Sequence, residues 1–204
     1  MMGFYFITDR KLSVNGILND VRDALEAGAG IIQYREKSLS AKRMYEEGRE
    51  IRKICEEYGA EYIVDDRIDI AMATEADGVH LGQEDMPLDI ARKLMPDAMI
   101  GVSCSNMEEA VAAAEGGADY LGVAPIYPTV TKVDAGAPIG IEGLGEITAT
   151  VDIPVVAIGG ITLERVKEII EVGAESVAAI SATVGPETGK NVSEFAEELK
   201  KWRK

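Results

Sequence analysis

The sequence predicts an α/β protein, a (β/α)₈ barrel of the TIM type, occupying residues 1–204 as one compact domain. Three observations carry that expectation. A unit recurs in which a helical pattern runs into a Gly-Ala or Ala-Asp element and then a short apolar strand, as in EAGAGIIQYRE (26–36), EYGAEYIVDD (57–66) and VGAESVAAIS (172–181). Strands and helices alternate strictly, which indicates a parallel sheet with crossover helices. No insertion is large enough for a second domain, so closure is favoured over an open doubly wound sheet. At 204 residues the chain is shorter than the roughly 250 typical of such barrels, and its loops must be tight.

The strands follow in order. FYFITD (4–9) precedes a helical pattern at 16–27, and IIQYR (31–35) precedes one at 40–58. YIVDD (62–66) leads to 68–74, GVHLG (78–82) to 87–95, and MIGVSC (99–104) to 106–115. YLGVAPI (120–126) leads to 140–150, PVVAIGG (154–160) to 162–171, and SVAAIS (176–181) to 191–202. Their β-branched runs suit strands buried on both faces, and glycine after a helix supplies the left-handed residue that stops it.

Composition narrows the function. A net charge of −15 argues against nucleic acid or anionic membranes as partners. No apolar run approaches the ~20 residues of a membrane span. MMGFYFITDRK has no basic region ahead of an apolar stretch, so no secretory signal is expected and the cytoplasm is the expected compartment. Cys55 and Cys104 lack metal-like spacing and read as free thiols. The sequence admits a homo-oligomer without specifying one.

Barrels place chemistry at the carboxyl ends of their strands. After the second strand, alternation sends Gln33, Arg35 and Lys37 to one side, where an amide and two cations can clamp phosphate or pyrophosphate. Asp65 and Asp66 end the third strand, and Asp85 lies in an acidic loop after the fourth. Carboxylates at adjacent strand ends can share Mg²⁺ with substrate phosphates, although Asp66 is equally suited to capping the next helix. His80, the only histidine, sits mid-strand and reads as a hydrogen-bonded barrel residue. Ser103 alternates inward with Gly101, and Ser105 or Asn106 suits the cap of the following helix.

The longest loop, 127–138, carries Thr129, Thr131 and Lys132 as a candidate anion grip and reads as a cover over the site. Gly159-Gly160 and the segment at Ile180 and Ser181 end the last two strands, the recurrent phosphate position of these barrels. Two anion sites flanking a metal imply two phosphorylated small-molecule ligands, or one ligand with widely separated phosphates.

The segments IIQYREK, VDDRIDIAMATEADGVHLGQEDMP, GVS, PIYPTVTK, PVVAIGGI and AAISA together resemble the thiamine-phosphate synthase (thiamine-phosphate pyrophosphorylase) family, in the family's order along nearly the whole chain. The resemblance implies a transferase that joins an aminopyrimidine diphosphate to a thiazole phosphate and releases pyrophosphate by a dissociative route. It implies that Asp66 and Asp85 hold Mg²⁺. Arg35, Lys37, Ser103 and Lys132 would bind pyrophosphate, with Lys37, Lys132 and Ser103 as the catalytic groups. Gln33 would meet the aminopyrimidine, while Thr129, Thr131, Gly160, Ile180 and Ser181 would receive the thiazole phosphate. Asp65 stands where the family usually has Asn, so a pyrophosphate donor has become an acceptor. Cys104-Ser105 replaces a common Thr-His pair, and Ala124 a common Gly. The related thiazole tautomerases would not need Lys37, Asp66, Asp85 and Lys132 together. A phosphate-binding regulator would have no use for paired carboxylates, and a sugar-phosphate isomerase would not require both PTVTK and HLGQED.

Overall fold

Eight apolar runs form the staves of a parallel barrel in the computed structural model, which describes residues 3–129 and 136–202. The strands are β1 (Phe4–Ile7), β2 (Ala29–Tyr34), β3 (Glu61–Asp65), β4 (Gly78–Leu81), β5 (Met99–Cys104), β6 (Tyr120–Val123), β7 (Val155–Ile158) and β8 (Ser176–Ala178). They pair in sequence order from β1 to β8, and the Ser176 hydroxyl bridges β8 to β1 by donating to the Gly3 carbonyl at 2.7 Å. The (β/α)₈ expectation is met.

The crossover helices are α1 (Ile17–Glu26), α2 (Ala41–Tyr58), α3 (Ile68–Ala73), α4 (Leu88–Leu94), α5 (Met107–Glu115), α6 (Gly140–Thr150) and α7 (Val166–Glu171), followed by α8 (Ile180–Thr183) and α9 (Thr188–Trp202). Local chemistry explains their limits. Ser40 caps α2 by accepting from the Arg43 N–H, and Gly59 ends that helix in the left-handed region at φ 66°. Asn106 caps α5 by accepting from the Glu109 N–H, and Glu109 answers by accepting from the Ser105 N–H.

Period-two alternation separates two apolar layers. Outward side chains such as Phe6, Ile32, Tyr62 and Val79 pack beneath the helices. Inward ones, Tyr5, Ile7, Ile31, Ile63, Tyr120, Val156 and Ala178, fill the barrel. Burying one such aliphatic side chain contributes roughly 1.5–3 kcal/mol.

The boundaries differ from the sequence reading where the barrel opens. Ile180 and Ser181, expected to end the eighth strand, instead begin α8. The β7 ladder stops at Ile158 opposite Ala178, so the chain beyond it has no partner strand there and turns into a helix. Pro125, which lacks an N–H, stands just after the shorter β6. The seventh helix opens with a 3₁₀ turn (Leu163–Arg165), and α9 begins at Thr188, ahead of the expected 191. No helix among the described residues is long and apolar enough to cross a membrane.

Candidate active site

The carboxyl ends of the strands surround a cavity of about 730 Å³. Gln33, Arg35, Lys37, Asp65, Asp66, Asp85, Ser103, Thr129, Gly160, Ile180 and Ser181 all line it, so these sequence-selected residues converge on one space. Thr131 and Lys132 lie outside the described residues.

One wall is charged. The Lys37 ammonium bonds to the Asp66 carboxylate and lies 2.9 Å from Asp65. Arg35 reaches Asp9 at 3.3 Å and Asp65 at 3.7 Å. Asp65 is buried beneath these cations. Its burial, reinforced by the Asp66 charge, pushes its carboxyl up to about 6 despite Lys37 and Arg35. For Lys37, burial alone would lower the pKa, but Asp65 and Asp66 outweigh it and hold the ammonium above its ordinary range. The Asp65 carboxylate therefore faces the two cations.

Asp66 is not the cap of α3. Arg67 holds that position without a side-chain bond, whereas Asp66 adopts φ 59°, a conformation short polar residues tolerate. Asp85 accepts from the Gly82 N–H at 2.7 Å. Its carboxyl is raised by burial first and by nearby Asp66 as well. Among the described residues, no group of three or more His, Cys, Asp or Glu side chains forms an all-protein metal cage. A pair of mutually repelling carboxylates at an open mouth nevertheless fits Mg²⁺, which commonly takes one or two carboxylates and completes its shell with phosphate oxygens and water.

Among the described residues, the opposite wall is lined by uncharged groups such as Ile158, Gly159, Gly160, Ile161 and Ile180. Gly159 and Gly160 have φ of 95° and 64°, and a Cβ on Gly160 would stand 2.6 Å from the Pro128 carbonyl oxygen. Only glycine suits both the conformation and the space. Arg165 braces this turn by donating to the Gly160 carbonyl at 2.6 Å while its guanidinium lies 3.9 Å from the Tyr127 ring centroid. Beside the turn, α8 starts at Ile180, where first-turn N–H groups lack intrahelical partners.

Several contacts escaped the sequence reading. Lys11 also lines the cavity, and Gln83 donates to the Ser103 carbonyl at 2.7 Å. Glu36 accepts from Arg10 and from the Ser38 N–H and hydroxyl, which pins the turn between Arg35 and Lys37. Both cysteines are free and buried, as expected. His80 is the buried, hydrogen-bonded barrel residue its position suggests, with one ring nitrogen 2.9 Å from the Ser103 hydroxyl. The inward alternation of His80 and Ser103 was the available signal; their pairing depended on strand register.

A family model described as thiamine monophosphate synthase matches residues 4–183. The chain belongs to the thiamine-phosphate synthase family. The enzyme is 48% identical over 203 residues to the thiamine-phosphate synthase of Methanosarcina barkeri, covering 98% of this chain and 92% of that one. It is 51% identical over 190 residues to the thiamine-phosphate synthase of Pyrococcus horikoshii, covering 93% and 90%. The solved thiamine phosphate pyrophosphorylase from Pyrococcus furiosus superposes with a TM-score of 0.94 at 42% identity, covering 100% of this chain and 98% of that one. Thiamine-phosphate synthase activity, a group transfer in thiamine biosynthesis, follows from membership.

Proposed function

We propose that the enzyme joins 4-amino-2-methyl-5-hydroxymethylpyrimidine diphosphate to a thiazole phosphate, giving thiamine phosphate and pyrophosphate. The observation that carries this reading is the division of one cavity between the Arg35–Lys37–Asp66–Asp85 wall and the Gly159–Gly160 turn beside Ile180. Two phosphorylated ligands entering from these sides would meet in the middle.

In this reading Arg35 and Lys37 hold the diphosphate, and Ser103 donates to one of its oxygens. The bond between the pyrimidine methylene carbon and the diphosphate oxygen breaks, and pyrophosphate leaves with the electron pair. The thiazole nitrogen supplies its lone pair to the resulting cation and forms the new C–N bond. Mg²⁺, held by Asp66 and Asp85, would supply neutralising charge to the leaving group. Gln33 orients the aminopyrimidine, while the Gly160 turn, Thr129 and the start of α8 fix the thiazole phosphate. Catalysis then rests on positioning and charge stabilisation rather than on an acid–base pair.

The test incubates the purified protein with both precursors, with Mg²⁺ and with a chelator. Thiamine phosphate and pyrophosphate are expected in equal amounts only when the metal is present. No condensation with Mg²⁺, together with isomerisation of a thiazole carboxylate phosphate, would overturn the assignment.

A further inference from the structure

A chain of hydrogen bonds crosses the floor of the cavity. The Gln33 amide nitrogen donates to the Tyr5 hydroxyl at 3.1 Å, and the Tyr5 and Tyr120 hydroxyls are 2.7 Å apart. Tyr120 meets His80 Nδ1 at 2.9 Å, and His80 Nε2 meets the Ser103 hydroxyl at 2.9 Å. Gln33, His80 and Ser103 line the cavity, and the Tyr5 and Tyr120 that join them are buried beneath it.

The barrel interior is shaped around these rings. A Cβ on Gly101 would stand 2.0 Å from a Tyr120 ring carbon, and one on Gly122 would stand 2.8 Å from His80 Cε1. Both glycines occupy inward positions, where a larger side chain would displace the relay.

We propose that Tyr5, Tyr120 and His80 are positioning residues that fix the direction of this relay, so that Gln33 presents its carbonyl and Ser103 its hydroxyl proton to the cavity. Each hydroxyl has one proton to give. Because Tyr5 accepts from the Gln33 amide, its own proton goes to Tyr120. Tyr120 then donates to His80 Nδ1, which places the imidazole proton on Nε2. That proton engages the Ser103 oxygen and leaves the serine hydrogen for a ligand. Burial holds both tyrosines well above their ordinary pKa, so neither loses the proton the relay needs. Resting on the proposed substrates, the relay offers an acceptor to a ring amine and a donor to a diphosphate oxygen. Reversal would invert both, so the device favours an amino-bearing ring over its oxo analogue.

His80 is the only histidine, so its imidazole ¹⁵N signals are unambiguous. The unliganded protein is expected to show a neutral Nε2–H ring. Gln33→Glu places an acceptor-only carboxylate at the head of the relay, and the ring is expected to switch to Nδ1–H. Adding Tyr5→Phe should restore Nε2–H. As a second measurement, Gln33→Leu and Ser103→Ala should be coupled in kcat/KM by about fivefold or more, and the coupling should vanish in a Tyr5→Phe background. A doubly protonated or Nδ1–H ring in the unsubstituted protein, an unchanged tautomer in Gln33→Glu, or coupling that survives Tyr5→Phe would overturn the relay. The tautomer is read without substrate, so its failure is distinct from failure of the condensation assay.

Discussion

Replacing Glu36 by glutamine keeps the size of a side chain that is only 1% exposed and removes its charge. Burial alone would raise this carboxyl, but Arg10 and the two Ser38 hydrogen bonds outweigh it and hold it at about 2 against an ordinary 4.5. At about 1.4 kcal/mol per pH unit, that difference corresponds to about 3 kcal/mol of folding stability. The folded pKa is depressed, so the contribution is fully present above about pH 4.5 and disappears as pH falls through about 2. Thermal unfolding of Glu36→Gln at pH 7 should therefore come roughly 6–12 °C lower than that of the unsubstituted protein. Denaturant titrations should show the gap closing as pH falls from 5 toward 2. Because Glu36 pins the turn between Arg35 and Lys37, kcat/KM should fall as well. A gap that stays constant across that pH range would show that the charge of Glu36 does not hold the turn.

Three further outcomes follow from the site. Asp85→Ala should lower turnover by about 100-fold or more while leaving thiazole phosphate binding within about twofold, as read by steady-state kinetics and calorimetry; equal loss of both would mean the two ends of the cavity are misassigned. Asp65→Asn removes the carboxylate facing Arg35 and Lys37, and calorimetry should show inorganic pyrophosphate binding several-fold tighter, on the order of 1 kcal/mol. Gly160→Ala forces a Cβ against the Pro128 carbonyl at φ 64° and should cost about 1–3 kcal/mol of stability. The same variant should lose thiazole phosphate affinity before diphosphate affinity.

Much of the barrel was legible in linear order because local rules set it. Helical and strand periods alternate without interruption, and the residues of a parallel strand must be apolar on both faces. That order also placed Gln33, Arg35, Lys37, Ser103 and the paired glycines at strand ends. The exact end of the eighth strand was not local. It depended on where the β7 ladder stopped, which turned Ile180 and Ser181 into the start of a helix.

The sequence by itself determined the alternation of elements, the inward register of the candidate residues and the family to which their motifs point. Tertiary structure decided which groups share a proton or a charge. Asp65 is read differently once Lys37 and Arg35 are seen beside it, and Asp66 once Arg67 takes the cap of α3. His80 joins Gln33 to Ser103 only because closure of the barrel brings Tyr5 and Tyr120 within 2.7 Å across 115 residues of chain. Period and propensity act over a few residues, whereas hydrogen bonds and Coulomb interactions follow distances that are set only when the sheet closes.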